Sequence, residues 1–140
     1  LPLADVVKVS DEELEMLTDC AEIPAGAAAL FARGVQAVVV TRGAKGCVVC
    51  TPSCVRALST YDTQVVDTTG SGDSFFGAFL TKLIEAGQPV SALSAETLCA
   101  AAEFANAAGS VCATKKGAIP ALPDRAAIEA CMRSVPKLEI

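Results

Sequence analysis

Two rhythms of apolar and polar positions run through the chain. In ADVVKVS (4–10) and QAVVVTRG (36–43) the apolar, mostly β-branched residues follow one another closely, which predicts strands, the second of fully buried type. GCVVCT and VRALS, with Pro52-Ser53 between them, predict a hairpin or two edge strands, and TQVVD (63–67) predicts one more strand. Elsewhere the spacing is helical. Ser10 precedes DEELEMLTD, acidic at its front and apolar at Leu14 and Leu17, so a capped helix is expected. Residues 24–33 predict an Ala-rich helix closed by Gly34. Residues 73–86 place Phe76, Phe79, Leu80 and Leu83 on one helical face, and Gly87 and Pro89 end that run. A slim, Ala-rich helix is expected over 95–113, a loop over KKGAIPALP (115–123), and a last helix capped by Asp124 and running to about Arg133. Strands alternating with helices predict a layered α/β domain with a largely parallel sheet. Ligands in such sheets sit at the carboxyl ends of strands, where Thr41-Arg42-Gly43 and Asp67-Thr68-Thr69-Gly70 both fall.

Composition narrows the function classes. With 140 residues, 52% of them hydrophobic, the chain can build one domain with a real core. A net charge of −5 and the lack of any basic run argue against nucleic acid as a partner. No apolar stretch is long enough to span a bilayer, and the first residues do not resemble a signal peptide. Seven cysteines, an odd number, imply reduced thiols in an intracellular protein, which fits a cytoplasmic location or the plastid stroma. Cys47, Cys50 and Cys54 invite a metal reading, but zinc wants four Cys or His ligands and the chain has no His. Cys47 and Cys50 also stand three apart in a predicted strand, so they point to opposite faces; small buried residues are the expected role. The chain opens on Leu1, and the expectation is a piece of something longer.

The chemistry concentrates in VDTTGSGDSFFGAF (66–79). Two glycines between an apolar run and an amphipathic one suggest a loop that holds phosphate through its N–H groups. A P-loop is excluded, because no Lys-Ser/Thr pair follows either glycine. A dinucleotide fingerprint lacks its third glycine, whose place is Phe75, and Asp73 would face the pyrophosphate. Like charges 4 Å apart cost roughly 4 kcal/mol even at an effective dielectric of about 20. A third reading gives the aspartate a role. N–H groups of Gly70, Ser71 and Gly72, with the positive helix end, stabilise a phosphoryl group in transfer. Asp73 takes the proton of the attacking hydroxyl, as a general base contributing about 10² to 10⁴ in rate. The plain alternative is that Asp73 caps the helix.

VVDTTGSGDSFFGAF resembles the second signature, usually DTTGAGDSF, of the ribokinase/PfkB-type carbohydrate kinases. VVVTRGAKG resembles that family's nucleotide strand and loop, V-T-x-G-x-x-G, and FANAAGSVCATKKGAIPALP its adenine-side helix and loop. ADVVKVSDEELEMLT resembles the segment holding its N-x-x-E motif, and DTTGSGDSF together with KKGAIPALP is most similar to fructokinases of plant type. The resemblance covers nearly the whole chain and implies a ribokinase-like α/β/α fold.

By this resemblance Asp73 is the catalytic base, and Gly70, Ser71 and Gly72 form the anion hole, with Ser71 replacing the usual alanine. Thr41, Gly43 and Gly46 match the loop along the nucleotide, which alone would read as a plain turn; Lys45 could reach phosphate or sit in solvent. Asn106 and Gly117 match positions near the adenine, although without the family Asn106 reads equally as a polar residue on an exposed helix side. Glu13 matches the glutamate that holds the water shell of Mg²⁺, an ion that tends to keep its waters. Ser10 stands where many relatives have Asn and reads equally as a helix cap. Asp67, Thr69, Cys112, Lys115 and Gly117 match positions that hold a monovalent cation in potassium-activated relatives, largely through carbonyls.

The implied activity is transfer of the γ-phosphate of ATP to a sugar hydroxyl, fructose being the expected acceptor, with Mg²⁺ and K⁺ as the implied ions. The alternatives are an inactive kinase-like scaffold subunit and a nucleoside kinase of the same fold. Relatives run about twice this length, and their N-terminal half carries the sugar contacts and a small β lid through which such kinases often pair. Residues 1–140 therefore correspond to the C-terminal, nucleotide-holding part, and the expectation for these residues alone is negligible sugar kinase activity.

Overall fold

The computed structural model describes residues 5–116 and 123–138. Among these residues four strands, β1 (Val6–Ser10), β2 (Ala37–Thr41), β3 (Cys47–Thr51) and β4 (Cys54–Leu58), form one sheet in the order β1-β2-β3-β4. Five α-helices among the described residues accompany it: α1 (Asp11–Thr18), α2 (Ile23–Phe31), α3 (Ser71–Ala86), α4 (Ala95–Cys112) and α5 (Arg125–Ser134). β1 and β2 run parallel, whereas β2–β3 and β3–β4 are antiparallel. The layered α/β class is as expected, whereas the sheet is mixed and not largely parallel. Connection length explains this. A parallel pair needs a crossover of a dozen residues or more, which α1 and α2 supply, while the short links after β2 and β3 can only fold back.

Side-chain alternation sorts the core onto two sheet faces. Val7, Val9, Val38, Val40, Val48 and Cys50 pack against Leu14 of α1 and Leu30 of α2. Ala37, Val39, Cys47 and Val49 face Phe75, Phe79 and Leu83 of α3 and Leu98, Ala102 and Ala105 of α4. Cys47 and Cys50 thus lie in different layers. Beyond α4, Phe104, Ala107 and Ala108 meet Ile128 and Cys131 of α5 together with Tyr61.

Two expectations change. Residues 63–67 are not a strand: Val66 N and Asp67 N both donate to the carbonyl of Ala113, at 2.8 and 3.2 Å, so the segment hangs from the end of α4 as a loop. Among the described residues no strand pairs with it, and its β-branched residues Val65 and Val66 are exposed. Helix α3 begins two residues before the expected start, and its buried face is Phe75, Phe79 and Leu83, with Phe76 only partly covered and Leu80 exposed. Phe75 and Phe79 stack in near-parallel planes with centroids 6.4 Å apart.

Candidate active site

The glycine loop is built from both sides. Upstream, Asp67 Oδ1 accepts from Thr69 N at 2.9 Å and Thr69 Oγ1 at 2.6 Å, and Ser71 N donates to Thr68 O at 3.1 Å. Gly70 then takes the left-handed conformation (φ 80°) at the N-cap of α3, with no side-chain cap. Downstream, α3 lies close on α4 at Gly109, where an added Cβ would come within 3.3 Å of the Ser71 carbonyl. The amides of Gly70, Gly72 and Asp73 reach no acceptor among the described residues, while that of Ser71 is taken by the turn. The buried hydroxyl of Ser71 also lacks a partner there.

Asp73 occupies the third position of the helix, is exposed, and makes no hydrogen bond or ion pair among the described residues. It does not cap α3, because the cap position belongs to Gly70. Successive helical residues turn by about 100°, so Asp73 points roughly 200° away from Ser71, toward solvent while Ser71 points inward. One short turn therefore presents donors on one side and a carboxylate on another.

A cleft of about 470 Å³ gathers Thr41, Gly43 and Gly46 with Ser71, Gly72 and Asn106. The 3-10 turn Gly43–Lys45 after β2 is closed by Gly46, whose amide donates to Gly43 O at 3.0 Å. Gly46 has φ 83°, and a Cβ there would fall 1.9 Å from the Leu58 carbonyl, so only glycine lets β4 pass this close. Asn106 is buried, not on an exposed helix side; its Nδ2 reaches Cys47 Sγ at 3.5 Å and Ser59 O at 3.4 Å, tying α4 to the sheet behind the cleft. Burial pushes the Cys47 thiol up to about 12, opposed in part by the Asn106 contact.

Gly70, Asp73, Ser10, Glu13 and Lys45 do not line this cleft. Ser10 and Glu13 make a capping box: Glu13 N donates to Ser10 Oγ at 3.1 Å, and Ser10 N donates to Glu13 Oε2 at 2.8 Å. Lys45 is exposed, and its carbonyl accepts from Arg42 Nη2 at 3.3 Å. A second grouping joins Asp67, Thr69, Cys112 and Lys115: Cys112 Sγ donates to the Thr69 carbonyl at 3.8 Å, and Lys115 N donates to the Cys112 carbonyl at 3.3 Å. Its oxygens, the Asp67 carboxylate and the Thr69 carbonyl, are ligands a hard cation prefers. Gly117 lies outside the described residues.

Sequence reasoning missed part of the cleft wall. Thr60, Tyr61 and Thr63 line it from the segment after β4, Ser110 from α4, and Leu138 from the tail. The Thr60 and Ser110 hydroxyls hydrogen-bond at 2.8 Å, and Leu138 N donates to Thr60 O at 2.8 Å. A strand reading of 63–67 hides this wall, and only the hydroxyl-rich run Ser59-Thr60-Tyr61 hints at it.

Residues 1–125 match the profile of the pfkB family carbohydrate kinases. Over 136 residues the chain is 44% identical to probable fructokinase-5 of Arabidopsis thaliana, covering 96% of this chain and 41% of that protein. Among solved structures it is similar to a fructokinase double mutant from Vibrio cholerae in fructose-, ADP- and potassium-bound form (40% identity, TM-score 0.84, 93% of this chain and 41% of that one). It is also similar to aminoimidazole riboside kinase from Salmonella enterica, complexed with aminoimidazole riboside and an ATP analogue (31% identity, TM-score 0.82, 95% of this chain and 43% of that one). The chain spans about two-fifths of the length of these relatives.

Proposed function

This chain belongs to the pfkB family of carbohydrate kinases, and from that membership we propose that it holds the nucleotide and supplies the base in transfer of the γ-phosphate of ATP to a hydroxyl of fructose. The observation that carries the reading is the start of α3. The amides of Gly70, Gly72 and Asp73, open among the described residues, offer a preorganised cradle for the phosphoryl group, and the Ser71 hydroxyl, likewise without a partner there, offers one more donor. The exposed carboxylate of Asp73 projects from the same turn, where it takes the proton of the acceptor hydroxyl. Phosphoryl transfer rests on positioning and charge stabilisation, which this arrangement supplies in part. The remaining part is acceptor placement, so the 140 residues alone are expected to show negligible sugar kinase activity.

Thr41, Gly43 and Gly46 run along the nucleotide, with Asn106 near its base, the place that the resemblance also gives to Gly117. Mg²⁺, when bound, offsets phosphate charge, and the Glu13 carboxylate, already fixed through one oxygen by the capping box, would hold its waters through the other. The Asp67–Thr69–Cys112–Lys115 group, with Gly117, would take the monovalent cation. Seven free thiols suit a compartment that keeps cysteines reduced, the cytosol or the plastid stroma.

The test is Asp73→Asn in the full-length protein that carries these residues, with fructose and nucleosides screened side by side as acceptors. ATP binding should survive while fructose phosphorylation falls by at least about 10². Unchanged turnover would remove the base assignment. Preference for a nucleoside would move the acceptor toward the class taken by the riboside kinase.

A further inference from the structure

A second positive group reaches the glycine loop from β1, two residues before Ser10. In β1, Val7 and Val9 face α1 and α2, which leaves Val6, Lys8 and Ser10 on the face covered by α3 and α4. Lys8 is half-buried, and its Nζ lies 3.0 Å from the position a Cβ on Gly72 would take. Gly72 therefore leaves room not only for a ligand but for this ammonium. Among the described residues Lys8 makes no hydrogen bond and no ion pair, and Asp73, one residue beyond Gly72, does not pair with it.

That position is electrostatically unfavourable in the absence of an anion. The first turn of a helix carries partial positive charge, which repels a cation. The amides of Gly70, Gly72 and Asp73 point no acceptor at the ammonium. Packing alone would be served as well by another valine, the residue type on either side of it in VVKVS. A lysine stem crossing the sheet face to place its charge beside Gly72 is accounted for by an anion that binds the amides and the ammonium together.

We propose that Lys8 is a further catalytic residue of this site, its ammonium contacting the terminal phosphate of the nucleotide while the helix amides hold it. The proposal rests on the kinase reading above. Lys8 moves no proton; it offsets charge on the phosphate oxygens as the bond to the leaving phosphate breaks and the bond to the acceptor oxygen forms.

The experiment compares Lys8→Met and Lys8→Arg with the unsubstituted full-length protein, measuring affinity for ATP, ADP and AMP together with turnover. Lys8→Met should weaken ATP binding about tenfold, leave AMP binding within twofold, lower turnover by about 10² and leave the acceptor KM unchanged; Lys8→Arg should recover much of the loss. A parallel loss of ATP, ADP and AMP affinity, or ATP binding and turnover unaffected in Lys8→Met, would overturn the assignment. Absence of ATP binding in the unsubstituted protein would instead overturn the kinase reading itself.

Discussion

Each sheet face keeps one cysteine out of water, and the chemistry of these thiols follows from where their strand puts them. Burial raises Cys47 to about 12 and Cys50 to about 11, with Asn106 partly opposing the first and nearby Cys54 adding to the second. At pH 8 iodoacetamide should therefore modify the partly exposed Cys20 and Cys54 well before Cys47 or Cys50, as mass spectrometry of a time course would read. Equal labelling of all four would contradict the buried placement. The same shift has a sign for stability. A thiol kept protonated by the fold contributes its full share below its ordinary value of 9.0, and that share drains away as pH climbs from about 9 toward 12. At this scale the sequence was informative where periodicity decides orientation, as for Cys47 and Cys50. It was silent where three-dimensional approach decides, as for Lys8, a single charge in an apolar run whose target lies 64 positions further along.

Elements with a local signal were legible and those needing a neighbour were not. Ser10 and Asp124 read as caps from sequence and serve as caps, because a cap and the amide it accepts from lie within three residues. The hairpin across Pro52-Ser53 was legible for the same reason. The 63–67 segment has strand composition without a partner strand, and α3 starts early because Gly70 turns left-handed at its mouth, both products of tertiary context. The capping box gives the element-scale prediction. Ser10→Ala should lose about 1 kcal/mol in a urea melt, whereas Ser10→Asn, an equally good cap, should stay within about 0.5 kcal/mol. A loss of the same size for both would show that the Ser10 hydroxyl does more than cap α1.

Across the whole molecule, three layers bring the loop after β2 and the start of α3 to one cleft, although about 30 residues of chain separate them. The rule about strand ends made only the loop after β2 legible, because 63–67 is not a strand and the start of α3 reaches the cleft from a loop; the wall made by 60–63 and Leu138 was not legible either, since it depends on how the tail returns to Thr60. The proposed cation grouping of Asp67, Thr69, Cys112 and Lys115 sits on the link between the glycine loop and the end of α4, so its occupancy should set how firmly that loop is held. Turnover of the full-length protein should accordingly be several-fold faster in K⁺ than in tetramethylammonium at equal ionic strength, and identical rates would discard the ion site. The bare mouth of α3 has one more effect. A helix that opens without a side-chain oxygen leaves the completion of its first turn to a solute, so on the kinase reading proposed above the nucleotide would behave as an absent piece of secondary structure. Its arrival should slow hydrogen exchange most at residues 72 and 73 and raise the melting temperature with the logarithm of its concentration, and the cell's energy charge would then also set how well this protein stays folded.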